Sequence, residues 1–139
     1  AFVQDRETRD IFLSHEHNRA IWRLFERLDL ALVGVGALEE SAFAERRVLT
    51  ESDFTRLRAA GAVGEICGHF FDRHGRECDT SYKDRVSGIE LQRLRRIPEV
   101  VGVTNGAGRA PAIRAALRGG LLTSLIIDDR GAEALLSAT

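Results

Sequence analysis

The stretch VTNGAGRAPAIRAALRGG, residues 103–120, decides how the rest of the chain is read. A β-branched run, Val100–Thr104, ends in the small residues Asn105-Gly106-Ala107-Gly108. Arg109 follows, then Pro111 in a first helical turn, where a missing N–H costs nothing. The Ala/Ile/Leu-rich segment beyond it stops at Gly119-Gly120. The order is strand, small loop, helix from about 109 to 118, stop. A helix N-terminus offers unpaired N–H groups and the positive end of a dipole, and small loop residues let an anion approach them. Arg109 adds a planar fork of donors suited to phosphate oxygens. A tight strand-to-helix turn with a solvated arginine explains the same letters, so the loop alone leaves both readings open.

Two other phosphate motifs fit worse. The Gly-Lys-Ser/Thr ending of a P-loop is absent. Gly106-x-Gly108 is two-thirds of a dinucleotide fingerprint, with Asp128 or Asp129 some 20 residues on. Pro111, however, stands where the third glycine should permit close helix packing.

Further strand-and-helix units flank the loop. An amphipathic helical region runs from residue 5 to about 28 with a break near Ser14. Leu30–Val35 is an apolar run, expected to be buried on both faces as a parallel strand, and it ends in Gly34-Val35-Gly36. Thr50 or Ser52 caps a short helix that stops at Gly61. Residues 65–79 read as a hairpin turning at Asp72–Gly75. A short helix around 90–96 is broken by Pro98, and LLTSLIID (121–128) is a last strand before a terminal helix. These units predict a single α/β domain, Rossmann-like, with a mostly parallel sheet flanked by helices and a hairpin insertion near 65–79. Ligands in such sheets bind at the carboxyl ends of the strands, which aligns Gly34–Gly36, Asn105–Arg109 and Asp128–Asp129 on one rim.

Composition narrows the function. The 139 residues are 44% hydrophobic and 29% charged with net charge -1, so the basic footprint of a self-sufficient nucleic-acid binder is missing. No apolar run approaches a membrane span and no signal peptide opens the chain, so a cytoplasmic location is expected. Cys67 and Cys78 lack metal or disulfide spacing. His15 and His17, two apart, fall on different helix faces and read as solvated. Cys67 reads as a small buried hydrophobe and Asp72 as turn chemistry; Trp22 belongs to the core or an interface. No metal or cofactor is expected.

Taken together, DLALVGVG (29–36), GAVGEICGHFFDRHGRE (61–77) and GIELQRLRRIPEVVGVTNGAGRAPAIRAALRGGLLTSLIIDDRGAEALL (88–136) resemble the SorC family of bacterial transcriptional regulators, specifically the C-terminal part of its sugar-binding effector domain. The likeness runs from about Leu28 to the C-terminus. It implies a fold similar to sugar-phosphate isomerases and CoA transferases, a phosphorylated sugar as effector, and assembly into homodimers or tetramers. It also implies DNA binding through an N-terminal helix-turn-helix, which these residues do not contain. The family's first half-domain, with a Gly/Thr-rich phosphate loop, is likewise expected to be absent.

Carried over by position, the family's phosphate lysine is replaced by Arg109, which keeps the charge and changes the geometry. Asn105, Gly106, Ala107 and Gly108 match the small loop, Glu65 an acidic position facing sugar hydroxyls, and Gly34 and Gly36 the floor of the pocket. Arg46 and Arg47 are within reach of that pocket but read as surface charge. Lys83, the only lysine, matches no imine-forming position. Effector sensing is the function expected. The alternatives are a sugar-phosphate isomerase or lactonase using Glu65 or Asp72 as base, and a dimerisation module, which an open apolar surface would favour.

Overall fold

The structure, a computed structural model, describes residues 2–40 and 48–137. The N-terminal region is two helices, α1 (Arg6–Ser14) and α2 (Glu16–Leu24), parted where His15 takes an extended conformation. Asp5 caps α1 by accepting from Thr8 N–H. Strand β1 (Leu30–Gly34) is followed, after Val35, by the two-residue strand β2 (Gly36–Ala37). Helix α3 (Glu51–Ala59) begins at a capping box in which Thr50 and Asp53 satisfy each other's backbone N–H. Strands β3 (Ala62–Ile66) and β4 (His69–Asp72) make a hairpin, and α4 (Leu91–Leu94) is a single turn. Strand β5 (Glu99–Val103), helix α5 (Ala110–Arg118), strand β6 (Ser124–Ile126) and helix α6 (Asp129–Ser137) complete the described chain.

The strands form two sheets. One is parallel, in the order β1-β5-β6, and the other antiparallel, in the order β2-β3-β4. The 65–79 hairpin expected as an insertion is therefore the centre of a second sheet, and its boundaries differ. Its two-residue turn is Cys67-Gly68, both with positive φ (55° and 91°), the geometry that matches strand twist in tight hairpins. The expected turn at Asp72–Gly75 also exists, with Gly75 N–H donating to Asp72 O, but beyond it the return is an isolated bridge of Glu77 to Phe71, flanked by Cys78 N–H donating to Phe70 O, and not a strand.

Successive strand residues point to opposite faces, and β4 uses both. Phe71 joins the larger core with Val33, Val100, Ile113 and Leu121, while Phe70 joins a smaller one with Leu57 and Tyr82. Helix α5 lies close against the hairpin because the contact is made of small residues. A Cβ built on Gly64 would meet Ala112 Cβ at 2.6 Å and Phe71 Cζ at 2.8 Å.

One expectation is overturned. Strand β1 is parallel as predicted, but it is an edge strand with one face open. Val33 is buried, whereas Leu30 is 48% and Leu32 67% exposed. The same face carries Val103 and Ile126, also exposed, because the register sets Gly34 beside Val103 and Val103 beside Ile126. Apolar residues on both faces announce a strand suited to burial on both, and only one face is covered among the described residues. Trp22 packs against Phe25 (5.2 Å between ring centroids) over an apolar groove floored by Leu28 and Leu94. None of the described helices is long and apolar enough to cross a membrane.

Candidate functional site

The two parallel strands β1 and β5 end side by side, Gly34 opposite Val103, so the loops after them leave from one edge. Thr104 ties them together: its N–H donates to Ile126 O (3.0 Å) and its hydroxyl to Val35 O (3.2 Å). Val35 then hands the chain to the antiparallel sheet, where Gly36 pairs with Glu65. The junction of the two sheets encloses an open cleft of about 630 Å³.

Of the residues expected at the site, Gly34, Gly36, Glu65, Asn105 and Arg109 line this cleft. Gly106, Ala107 and Gly108 form the bend behind Asn105 and do not line it. Gly106 has a positive φ (83°), which requires glycine, and its N–H is turned to Asp128 Oδ1 at 2.9 Å. That donor is spent on the fold, and the loop's supply of N–H groups is smaller than the sequence implied. Asp128 also accepts from Gly131 N–H at the start of α6, which leaves no support for a ribose-binding acid there. Arg46 and Arg47 lie outside the described residues.

Arg109 is held at the rim rather than waving in solvent. Its Nη1 donates to both the backbone O (2.9 Å) and Oδ1 (2.5 Å) of Asn105, four residues back across the bend. Its Nε is buried with no partner among the described residues. Asn105 thus aims a fixed guanidinium that keeps donors in reserve.

Glu65 sits on the opposite hairpin face from Gly64 and Ile66, which are buried in packing. One carboxylate oxygen accepts from Gly68 N–H at 2.8 Å. Burial raises its pKa above the ordinary carboxylate value, against the opposing pull of that N–H and of nearby His69. Behind it His69, only 5% exposed, sets Nδ1 2.6 Å from Glu77, and His69 holds the Glu77 carboxyl below its usual value. Cys67, also at the cleft, has its thiol pKa pushed up to about 11 by burial and by Glu65, so it stays protonated and unreactive. Asp72, the alternative base, is committed to its turn: Oδ1 accepts from His74 and Arg76 N–H. Lys83 pairs with Asp79, and His15 and His17 are exposed.

The sequence reading missed Glu40, Thr104 and Cys67 at the cleft. Thr104 stood inside the quoted loop and could have been read from its place at the strand end. Glu40 carries no motif.

Residues 1–137 match the family model described as "Putative sugar-binding domain". The chain belongs to this sugar-binding domain family of SorC/DeoR-type transcriptional regulators. It is 34% identical over 125 residues to the deoxyribonucleoside regulator of Bacillus subtilis, covering 88% of this chain and 40% of that protein. Among solved structures, a DeoR family transcriptional regulator from Listeria monocytogenes superposes with a TM-score of 0.91 at 32% identity, covering 97% of this chain and 55% of that one. The full-length sorbitol operon regulator SorC from Klebsiella pneumoniae does so at 0.87 and 28%, covering 98% and 44%. The α/β architecture expected from the sequence is that of these regulators. The chain spans about two fifths of the length of the curated relatives it matches.

Burial of Glu65 has a cost that can be measured. Its folded pKa lies above the ordinary 4.5, so its contribution is most favourable below pH 4.5 and falls as pH rises through the raised value. Glu65→Gln keeps an acceptor for Gly68 and removes the buried charge. We expect a higher thermal midpoint than wild type at pH 7, with the advantage shrinking toward pH 4; a lower midpoint at pH 7 would contradict this.

Proposed function

We propose that the cleft senses a phosphorylated sugar, with Arg109 and the Asn105–Gly108 loop receiving the phosphate and Glu65 accepting from sugar hydroxyls. The observation that carries this reading is the meeting of Arg109, Asn105 and Glu65 on one cleft at the carboxyl ends of two parallel strands. A guanidinium pre-set by Asn105 binds an anion with little ordering cost. A desolvated carboxylate opposite it gains from hydroxyl donors that replace lost water. No chemical step is required of these groups, and the relatives are named as regulators rather than enzymes. In a complete regulator, ligand binding here biases DNA binding by another domain, a coupling typically worth about 1–3 kcal/mol.

The open apolar face of Leu30, Leu32, Val103 and Ile126 favours a second role, assembly with another copy of the chain. Ile126→Asp alters exposed surface outside the cleft. It should leave the thermal midpoint within a few degrees while lowering the sedimentation coefficient of any oligomer; an unchanged oligomer would exclude this face.

The ligand reading predicts that one or more members of a panel of sugar mono- and bisphosphates raise the melting temperature by mass action. Arg109→Ala should weaken that ligand by about 10- to 100-fold, the range for a lost charge-assisted hydrogen bond. Equal stabilisation by the unphosphorylated sugar, or by the same ligand in Arg109→Ala, would overturn the assignment.

A further inference from the structure

Glu40 lines the cleft with no part in the reading above, and its backbone is tied into the turn after β2. The turn after β2 is tied by Leu38 N–H to Val63 O (3.4 Å) and by Glu40 N–H to Ala37 O (3.2 Å). The neighbouring Glu39 is held by Arg58 through two bonds, Nε at 2.9 Å and Nη2 at 2.8 Å. From this anchored turn the Glu40 side chain reaches across to the strand-to-helix loop. A Cβ built on Gly108 would lie 2.9 Å from Glu40 Oε1 and 3.6 Å from Oε2. The carboxylate therefore rests against the bare Cα of Gly108. Gly34 and Gly106 have nothing within 4 Å of the same built atom, so of these three loop glycines Gly108 is the one whose missing side chain is filled by a charge. Among the described residues no group donates a hydrogen bond to that carboxylate.

We propose that Glu40 is the specificity-determining residue of the cleft: its carboxylate occupies the ground over Gly108 that a ligand's anionic group would take. An anion entering beside Arg109 must displace this carboxylate or bear its repulsion. A neutral sugar meets no such barrier. The proposal rests on the reading that the loop and Arg109 receive an anion. Because Glu40 is exposed, the repulsion is part-screened and depends on salt. Glu40 thus sets the threshold at which a phosphorylated ligand is preferred over its unphosphorylated form.

Inorganic phosphate is the probe, titrated calorimetrically into wild type, Glu40→Gln, Arg109→Ala and the double variant. Glu40→Gln keeps the shape of the side chain and changes only exposed surface, so its melting curve should overlay that of wild type. At low ionic strength it should bind phosphate at least about tenfold more tightly, the low end of what two like charges about 4 Å apart cost each other in a part-solvated site. The gap should narrow at roughly 0.3 M salt, where screening acts within less than about 8 Å. Equal affinity of Glu40→Gln and wild type, with Arg109→Ala weakened, would overturn the role of Glu40 and leave the anion loop standing. No measurable binding to any of the four, or equal binding to all, would overturn both.

Discussion

Gly34 and Val103 sit opposite each other at the carboxyl ends of two parallel strands, and the candidate site depends on that pairing. The register brings the Gly34–Gly36 segment beside the Asn105–Arg109 loop. Two residues after Gly34, the pairing of Gly36 with Glu65 draws the hairpin's carboxylate to the same place. Parallel strands order their ends in this way because each crossover returns the chain to the same starting edge. A slip of one residue between β1 and β5 would also swap the buried Val33 with the exposed Leu32. Hydrophobic burial therefore holds the geometry of the cleft and of the charged groups at it.

Within that frame the polar groups divide into those the fold consumes and those it leaves. Gly106 N–H goes to Asp128, and Asp72 is spent in its turn. Asn105 holds Arg109 in place, because its carbonyl and side-chain oxygens both accept from the guanidinium. What remains in the cleft is one fixed cation and two carboxylates, Glu40 exposed and Glu65 half-buried. A site of this composition balances attraction for an anion against repulsion.

The sequence made the parallel units legible because strand, small loop and capped helix each leave local marks. Thr50 was one of two candidate caps, and the break near Ser14 falls where α1 gives way to α2. The hairpin turn was not legible: Cys67 takes a left-handed conformation that cysteine letters do not announce, while the more conventional Asp72–Gly75 turn drew the boundary instead. The face of β1 was misread because apolar residues at Leu30 and Leu32 state a preference for burial, and burial also needs a covering layer. At the cleft, Gly34, Gly36, Glu65, Asn105 and Arg109 were found from loop chemistry and family likeness. Glu40 was not, since its proximity to Gly108 arises from a turn held by Arg58 and Val63, distant in sequence.

The central claim is that an anion enters the chain at the junction of the two sheets, against the loop before α5. Amide chemical-shift mapping during a phosphate titration tests it most directly. The largest changes should fall on Ala107, Gly108 and Arg109, with smaller ones at Gly36 and little at Gly106, whose N–H already faces Asp128. Changes clustered on Arg93, Arg95 and Arg96, or on Leu30 and Ile126 of the open sheet face, with the 107–109 amides unmoved, would contradict the account.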